Sequence, residues 1–320
     1  MLGKGKVLVT GANGFIGSAL VSTLTQHAEF DVVGASRREM SGNRVEHRAH
    51  DLLDALVTPT LDDIDVIIHT AARVHVMAEQ AARPIDAFRA ANVAGTLVLA
   101  EAAARSGVKR FIYLSSIKVN GEDTLPGRAF LASDQAAPQD DYGISKFEAE
   151  QGLHELATRT GLEIVIIRPP LVYGPGVKAN FRAMLQWVHK GVPLPLGSIQ
   201  NKRSLVGIGN LIDLIIRCMT HANAANKTFL VSDGIDISTP DLIRQVATAL
   251  GKQARLLPVP VKVLQGGLTV LGKREIAYRL CSSLQVNMDA TRSALDWHPK
   301  HTISEELKKT ARLFLKQDGP

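Results

Sequence analysis

The sequence predicts an α/β fold built on a doubly wound parallel sheet, with a smaller C-terminal α/β lobe. Strand-like apolar runs alternate with helix-like segments through the first half of the 320-residue chain. A glycine-rich turn at residues 11–17 separates the first strand-like run from the first helix-like segment. Apolar residues make up 45% of the chain and charged residues 21%, which is typical of a globular protein with a sizeable core.

Six runs are predicted as parallel strands, and the segments between them as helices. Right-handed crossovers join such strands, and ligands bind where the carboxyl ends of the strands meet. Those ends fall at Gly11, Ser36, Asp51, Ala71 and Ser115. The predicted strands are residues 6–10, 31–35, 45–48, 66–70, 110–115 and 163–168, and the predicted helices include residues 16–26, 86–106 and 142–160.

The alternation of strands and helices ends after a Gly-Pro-Gly turn at residues 174–176. We therefore predict one domain over residues 1–176 and a substrate-binding lobe over residues 177–320. Residues 228–232 are predicted as a further strand, a candidate to return to the main sheet. Ser238 is predicted to cap a helix that carries a proline in its first turn.

The glycine turn is predicted to bind the pyrophosphate of a dinucleotide. Glycines allow the tight bend and the close approach of the backbone, and the N-terminus of the following helix offers unpaired N–H groups to the phosphates. Three glycines alone would also fit an arbitrary sharp loop, but the order of strand, turn and helix favours the phosphate site. The candidate cofactor-binding residues of this segment are Gly11, Asn13, Gly14, Phe15, Ile16 and Gly17.

Tyr142 and Lys146 lie four residues apart in a predicted helix, so their side chains share one face. A tyrosine alone has a pKa of about 10 and is a poor base near neutrality. We expect the Lys146 ammonium to favour the phenolate of Tyr142 and so bring proton exchange within reach of cellular pH. Such pairs also occur by chance on solvated helices, but the glycine turn upstream favours a hydride-transfer site.

A series of motifs in this order resembles the extended short-chain dehydrogenases/reductases, and among them the NAD(P)-dependent sugar-nucleotide epimerases and reductases. The resemblance covers nearly the whole chain. It implies a Rossmann-like fold, catalytic roles for Ser116, Tyr142 and Lys146, and a homodimer formed through a helix bundle. The motifs are residues 10–17, 51–52, 69–72, 92–96, 114–116, 142–146 and 168–175.

The end of the second strand predicts NADP(H) as cofactor, favoured over NAD(H). NAD-specific members place an acidic residue there for the adenosine ribose, whereas this chain has Ser36, Arg37 and Arg38. Two guanidinium groups suit a 2′-phosphate, although solvated loop arginines would give the same pattern. Asp51 could equally be an exposed loop residue, and Ala71 and Ala72 could be small for core packing instead of for cofactor binding. By resemblance, the other cofactor-binding residues are Asp51, Leu52, Ala71, Ala72, Asn92, Tyr142, Lys146 and Pro169.

Two serines follow the fifth predicted strand, and the family's catalytic hydroxyl falls on the second of them, Ser116. Serines at a strand end also serve as simple turn formers. Dehydratases and decarboxylating relatives need carboxylates in this segment, where the chain has Ile117 and Lys118, so we exclude elimination and decarboxylation. Two redox reactions remain, both expected at C4 of the sugar: reduction by a 4-reductase, and 4-epimerisation with tightly bound NAD.

The expected use of NADP(H) ranks the reductase first, because an enzyme that consumes hydride draws on the reduced NADP pool. The resemblance implies a nucleotide diphosphate sugar as substrate: a UDP-4-keto-deoxy(acetamido)sugar for surface polysaccharide, or UDP-glucose or UDP-N-acetylglucosamine for the epimerase. Asn120 stands where members usually have a tyrosine, so the shape of the sugar pocket is left open. The candidate substrate-binding residues are Ser115, Ser116, Asn180, Phe181, Arg203 and Arg279, whose arginines could equally be surface charges.

A net charge of +6 suits anionic ligands. The basic residues are scattered and aromatic residues are only 5% of the chain, so we expect no nucleic acid partner. A non-catalytic dinucleotide sensor or RNA-binding scaffold of the same fold is the alternative from another class. The presence of Ser116, Tyr142 and Lys146 argues against that alternative.

Cys218 and Cys281 are the two cysteines, too few for a disulfide framework or a cysteine metal cluster, which agrees with a reducing cytoplasm. Glycines interrupt the apolar stretch near the N-terminus, so we expect no export signal. Prolines, glycines and a lysine interrupt the apolar run at residues 256–272, so we expect a helix packed on the small lobe there and no membrane span.

Overall fold

The computed structural model describes residues 5–39, 45–54, 57–74, 83–272 and 274–318. Its main sheet has seven parallel strands in the order β3-β2-β1-β4-β5-β6-β9. All six predicted strands are present, and their ends lie within one residue of the predicted ones. The sheet consists of β1 (Gly5–Thr10), β2 (Phe30–Ser36), β3 (Glu46–Ala49), β4 (Val66–His69), β5 (Arg110–Leu114), β6 (Glu163–Arg168) and β9 (Lys227–Leu230).

Helices cover both faces of this sheet, which confirms the doubly wound α/β fold. Alternate residues of β1 point to opposite faces, because side chains of a strand alternate in direction. Val7 and Val9 share a core with helices α1 (Phe15–Leu24) and α6 (Ile208–Thr220). Leu8 packs in a second core with α3 (Gly95–Arg105) and α4 (Asp141–Thr160).

The helix predicted at residues 86–106 is divided into three segments. α2 (Pro84–Phe88) is followed by a π-helical segment, Arg89–Ala94, and then by α3. Such wide turns inside α-helices are frequent at functional sites. The buried side chain of Asn92 lies within this one and bonds outside the helix.

The C-terminal half contributes to two regions of the molecule. β7 (Leu171–Tyr173) and β8 (Leu205–Gly207) form a separate parallel pair, while β9 pairs with β6 and so returns to the main sheet. A third core lies among α5 (Ala179–His189), α7 (Thr239–Ala249) and α11 (Ile303–Asp318). The division of the chain at residue 176 stays a prediction.

α8 (Val261–Val270) and α9 (Arg274–Cys281) pack on each other and form the α8–α9 hairpin. α8 lies where a helix on the small lobe is predicted, and its buried Leu264 joins the core of that lobe. α10 (Asp289–Leu295) packs beside β9. Among the residues that the structure describes, we find no helix whose length and apolar content would allow it to cross a membrane.

Candidate active site

The glycine turn brings the backbone of β1 against that of β4. Gly11 has a φ of +66°, which favours glycine, and a Cβ there would lie 2.8 Å from the amide nitrogen of Ala71. A Cβ on Gly17 would lie 2.2 Å from the carbonyl oxygen of Gly11. Gly14 precedes α1, and no side chain caps the first turn of this helix. The turn therefore has the close packing and the helix N-terminus that a bound phosphate requires.

A cavity of about 770 Å³ opens at the carboxyl ends of β1, β2 and β4. Its volume is that of a typical small-molecule or cofactor site. His50, Thr70, Arg73 and Lys178 line it as well, none of which we predicted. Lys178 follows the Gly-Pro-Gly turn, and its approach to this edge depends on tertiary structure. The predicted cofactor-binding residues that line the cavity are Gly11, Asn13, Gly14, Ser36, Arg37, Arg38, Asp51, Leu52, Ala71 and Ala72.

The end of β2 is held to the glycine turn by side-chain hydrogen bonds. Asn13 Nδ2 donates to Ser36 Oγ at 2.9 Å and to the carbonyl oxygen of Arg38 at 2.6 Å. Arg37 and Arg38 are exposed at the wall of the cavity. The end of β2 therefore presents two basic side chains to the cavity and no acidic one. Asp51 accepts a hydrogen bond from the amide of Leu53 at 3.0 Å, which fixes the loop after β3.

Several predicted cofactor-binding residues lie behind the cavity wall. The amide of Asn92 is buried and bonds both backbone groups of Arg73, at 2.7 and 3.0 Å, and Ser145 Oγ at 3.0 Å. It therefore joins the cavity wall to α4. Pro169 is buried, and its carbonyl oxygen accepts from Ile117 at 3.0 Å. Phe15 and Ile16 pack against the core on the α1 side of the sheet, beside the buried Gly17.

Tyr142 and Lys146 lie in the first two turns of α4, beside the cavity. Asp140 caps this helix by accepting from the amide of Gly143 at 2.7 Å. Lys146 Nζ donates to the carbonyl oxygen of Leu114 at 2.9 Å and lies 5.9 Å from the ring centroid of Tyr142. The half-buried Tyr142 packs edge-on against Phe88, and Phe88 in turn contacts Arg73 of the cavity wall. The structure thus brings the predicted pair together at the expected edge of the sheet.

Burial dominates the electrostatics of this pair. It lowers the pKa of Lys146 to about 7, and the nearby carboxylate of Glu150 opposes that shift. The surrounding protein raises the pKa of Tyr142 above its ordinary value, chiefly by desolvation and further by Asp140. Burial therefore outweighs the expected effect of the Lys146 ammonium on the pKa of the phenol.

The two serines after β5 have different environments. Ser116 is partly exposed and caps a short 3-10 turn, with Oγ accepting from the amide of Lys118 at 3.2 Å. A Cβ on Gly143 would lie 3.0 Å from the carbonyl oxygen of Lys118, so this turn packs closely on the start of α4. Ser115 is buried and donates to Glu150 at 2.5 Å. The Ser115 hydroxyl is thus held by Glu150, contrary to the expectation that it binds the substrate.

Arg168 and Glu150 form a buried ion pair beneath the site that was not predicted from the sequence. Arg168 donates through Nε and Nη2 to the carboxylate of Glu150, at 3.0 and 2.5 Å, and through Nη1 to Asn120 at 3.0 Å. Asn120 is itself buried and donates to the carbonyl oxygen of Leu131 at 2.9 Å. It therefore serves this network and does not line the cavity described above. Glu150 lies eight residues after Tyr142 on the same face of the predicted helix, and this spacing could have indicated that its side chain lies near the site.

The two candidate arginines of the substrate-binding lobe lie together. Arg203 Nη1 donates to the carbonyl oxygen of Arg279 at 2.7 Å. Burial lowers the pKa of Arg203, and the positive charge of Arg279 adds to this effect while Glu122 opposes it. Lys118 donates to Glu122 at 2.8 Å and also to Asp140, which links these arginines to the start of α4.

Asn180 and Phe181 begin α5 but face different surroundings. Asn180 is exposed, next to Lys178 and the cavity. Phe181 is buried, and its ring stacks on that of Tyr173 with centroids 5.5 Å apart. The side chain of Phe181 therefore belongs to the core of the lobe, contrary to the expectation that it contacts a substrate.

Known proteins resemble this chain in sequence and in fold. A UDP-glucose 4-epimerase of Vibrio cholerae is 47% identical over 98% of this chain and 96% of its own length. An N-acetyl-alpha-D-glucosaminyl-diphospho-ditrans,octacis-undecaprenol 4-epimerase of Escherichia coli O157:H7 is 26% identical over 81% of this chain and 77% of its own length. The crystal structure of UDP-glucuronic acid 4-epimerase from Bacillus cereus in complex with NAD has a TM-score of 0.78 at 21% identity, covering 98% of this chain and all of that one.

The family described as the NAD dependent epimerase/dehydratase family matches residues 7–232. This match and the Vibrio cholerae relative confirm the predicted resemblance. They support a pyridine nucleotide as cofactor and a nucleotide sugar as substrate. The family description names NAD, so the family match does not support the expected preference for NADP(H). The chain is an enzyme of the NAD dependent epimerase/dehydratase family.

Proposed function

We propose that this enzyme is a 4-epimerase that inverts C4 of a UDP-linked hexose, with UDP-glucose and UDP-galactose as its pair of substrates. The observation that carries the proposal is the 47% identity, over 98% of the chain, to the UDP-glucose 4-epimerase of Vibrio cholerae. We ranked the 4-reductase first from the residues after β2, and this relative favours the epimerase instead. The residues of the site suit either reaction, so the proposal of an epimerase rests on the sequence relationship.

The proposed cofactor is NAD(H) that stays bound through the cycle. An epimerase returns the hydride it removes, so it needs no supply from the reduced NADP pool. Arg37 and Arg38 are exposed and available to a phosphate, but nothing in an epimerase cycle requires a 2′-phosphate. Release of the bound nucleotide by denaturation, followed by mass spectrometry, is expected to yield NAD. Recovery of NADP would contradict this part of the proposal.

The chemistry at the sugar is assigned to Tyr142, Ser116 and Lys146. A dinucleotide held at the glycine turn by Gly11, Asn13 and Gly14 would supply reversible hydride transfer at C4 of the sugar. Tyr142 takes the proton of the C4 hydroxyl and gives it back, while Ser116 donates a hydrogen bond to the same oxygen. The positive charge of Lys146, together with that of a bound oxidised dinucleotide, would favour the phenolate against the burial that raises the pKa of Tyr142.

The diphosphate of the substrate is assigned to Arg203, Arg279 and the exposed amide of Asn180. The two arginines lie together, and a diphosphate would relieve the repulsion between their charges. Arg203→Ala is expected to raise KM with little change in kcat, because it removes binding that is equal in ground and transition states. An unchanged KM would show that the diphosphate binds elsewhere.

A second candidate substrate is a hexosaminyl diphosphate carried on a polyprenol. The relative from Escherichia coli O157:H7 is named for this substrate class. The observation that favours it here is the α8–α9 hairpin, which carries Arg279 and exposes apolar side chains beside the proposed diphosphate site.

The proposed quaternary state is a homodimer through α3 and α4, which sedimentation analysis would measure.

The test is incubation of the purified enzyme with a panel of UDP-hexoses and UDP-N-acetylhexosamines, with and without added NADPH. We expect the gluco and galacto forms to interconvert without added cofactor and without loss of NADPH absorbance. Stoichiometric NADPH consumption with a 4-keto nucleotide sugar, and no interconversion, would instead identify the reductase.

A further inference from the structure

The α8–α9 hairpin is apolar on two faces. Leu264 and Leu268 of α8 point inwards and pack in the core of the small lobe. Val263, Val270 and Leu271 are 63%, 88% and 70% exposed. Val263 and Val270 are seven residues apart and lie on one side of the helix, and Leu271 follows directly at its C-terminal end. A surface helix of a globular protein normally presents polar side chains on this outer face, so the apolar outer face requires an explanation.

Exposed apolar side chains are concentrated around this hairpin. Six of the fifteen large apolar side chains that are exposed among the described residues lie between positions 257 and 278. Leu257 precedes α8, and Ile276 lies on α9. Single exposed apolar residues need no explanation, but a concentration of them marks a binding surface.

The hairpin and the residues just before it carry most of the net charge of the protein. Residues 250–281 contain six lysines and arginines and one acidic residue, a balance of +5 in a chain whose net charge is +6. The exposed Lys262 and Arg274 flank the outer face of α8. Apolar side chains edged by basic ones form the pattern of helices that lie in the interface of an anionic bilayer.

We propose that the α8–α9 hairpin docks the enzyme on an anionic lipid surface. Val263, Val270 and Leu271 enter the boundary between headgroups and acyl chains, and Lys262 and Arg274 meet the anionic headgroups. A second copy of the chain is a poor occupant of this face, because it would place two basic hairpins against each other. Residues 261–281 contain four lysines and arginines and one acidic residue, a balance of +3. The proposal goes beyond the proposed function and stands without it.

Docking at this hairpin would place the candidate substrate site close to the lipid surface. Arg279 belongs to α9, and its carbonyl oxygen accepts the hydrogen bond from Arg203. The arginines assigned to the diphosphate are thus attached to the docking element itself. A diphosphate sugar at the membrane surface would reach them without diffusing into bulk solvent.

Sedimentation of the full chain with vesicles tests the proposal. We expect binding to vesicles of phosphatidylglycerol and phosphatidylcholine, and weak binding to vesicles of phosphatidylcholine alone. The double variant Val270→Ser, Leu271→Ser is expected to weaken vesicle affinity about tenfold or more, because two apolar side chains no longer enter the bilayer. The pair Lys262→Gln, Arg274→Gln is expected to weaken binding about tenfold and to remove its dependence on salt.

The matched control is Ile235→Ser, since Ile235 is 67% exposed but lies outside the hairpin. It is expected to bind vesicles like the unaltered protein, and all variants should keep their melting temperature and their activity on water-soluble substrates. Absence of vesicle binding, or binding that the hairpin substitutions leave unchanged, overturns the proposal. It is also overturned if Val270→Ser, Leu271→Ser changes the sedimentation coefficient of the free protein without altering vesicle binding, because the face would then join copies of the chain.

Discussion

At the scale of single residues, the proposed proton transfer depends on Tyr142 and Lys146. Their spacing predicted a shared helix face, and the structure places the ammonium 5.9 Å from the phenol ring. The direction of the pKa shifts was not predictable from that spacing. Both shifts arise from burial among α4, β5 and the segment near Phe88, and burial is a property of the tertiary structure.

Replacement of the phenol tests its role in proton transfer. Tyr142→Phe is expected to lower kcat by about 100-fold to 10,000-fold, the usual contribution of a positioned acid or base. The ring still packs against Phe88, so the bound nucleotide and the melting temperature should change little. Steady-state kinetics and nucleotide content measure the two effects. A variant with near-normal kcat would exclude Tyr142 as the proton-transfer group.

The lowered pKa of Lys146 predicts a pH dependence of stability. Below pH 7, the folded and unfolded chains both carry the ammonium, and the folded state bears the full cost of burying it. Between pH 7 and 10, the folded protein releases this proton before the unfolded chain does, so the free energy of unfolding rises with pH. The expected rise is at most about 1.4 kcal/mol per pH unit.

Denaturant titration of the nucleotide-free protein at several pH values measures this effect. Lys146→Met removes the titrating group, and its free energy of unfolding should lack the rise that the unaltered protein shows over this pH range. Equal slopes for the two proteins would mean that Lys146 keeps an ordinary pKa in the folded state.

At the scale of elements, the sequence predicted those whose signal is local. The glycine turn was predictable because φ and close approach restrict residue type directly, as the contact of Gly11 with Ala71 illustrates. The π-helical segment at Arg89–Ala94 was missed, because its apolar periodicity is that of an ordinary helix. The partner of Ser115 was also missed, since Glu150 is 35 residues away in sequence.

Gly11→Ala tests the turn as an element. The added methyl group would lie 2.8 Å from the Ala71 amide nitrogen, on a backbone with a φ of +66°. We expect a folded protein with greatly reduced retention of dinucleotide and correspondingly low activity. Gly107→Ala is the matched control, because its φ is +75° and a Cβ there meets no atom within 4 Å. Equal nucleotide content in the two variants would show that the turn does not hold the cofactor.

At the scale of the whole molecule, the parallel sheet and its two covered faces followed from the alternation of strands and helices. The extent of the C-terminal lobe was less predictable. β9 and α6 follow residue 176 in sequence, but β9 belongs to the main sheet and α6 packs on one face of that sheet. Pairing between β6 and β9 joins residues about 60 positions apart, which no local pattern encodes. The choice between reductase and epimerase was likewise not local, and the sequence relationship reversed our ranking.

The most direct test of the central claim follows the hydrogen at C4. Purified enzyme is incubated without added cofactor with UDP-glucose that carries deuterium at C4, and the UDP-galactose formed is analysed by mass spectrometry. If the enzyme is a 4-epimerase, we expect the product to keep the deuterium at C4, because the hydride is removed and returned within one active site. Absence of product without NADPH, or product that has exchanged its C4 deuterium for solvent hydrogen, would contradict it.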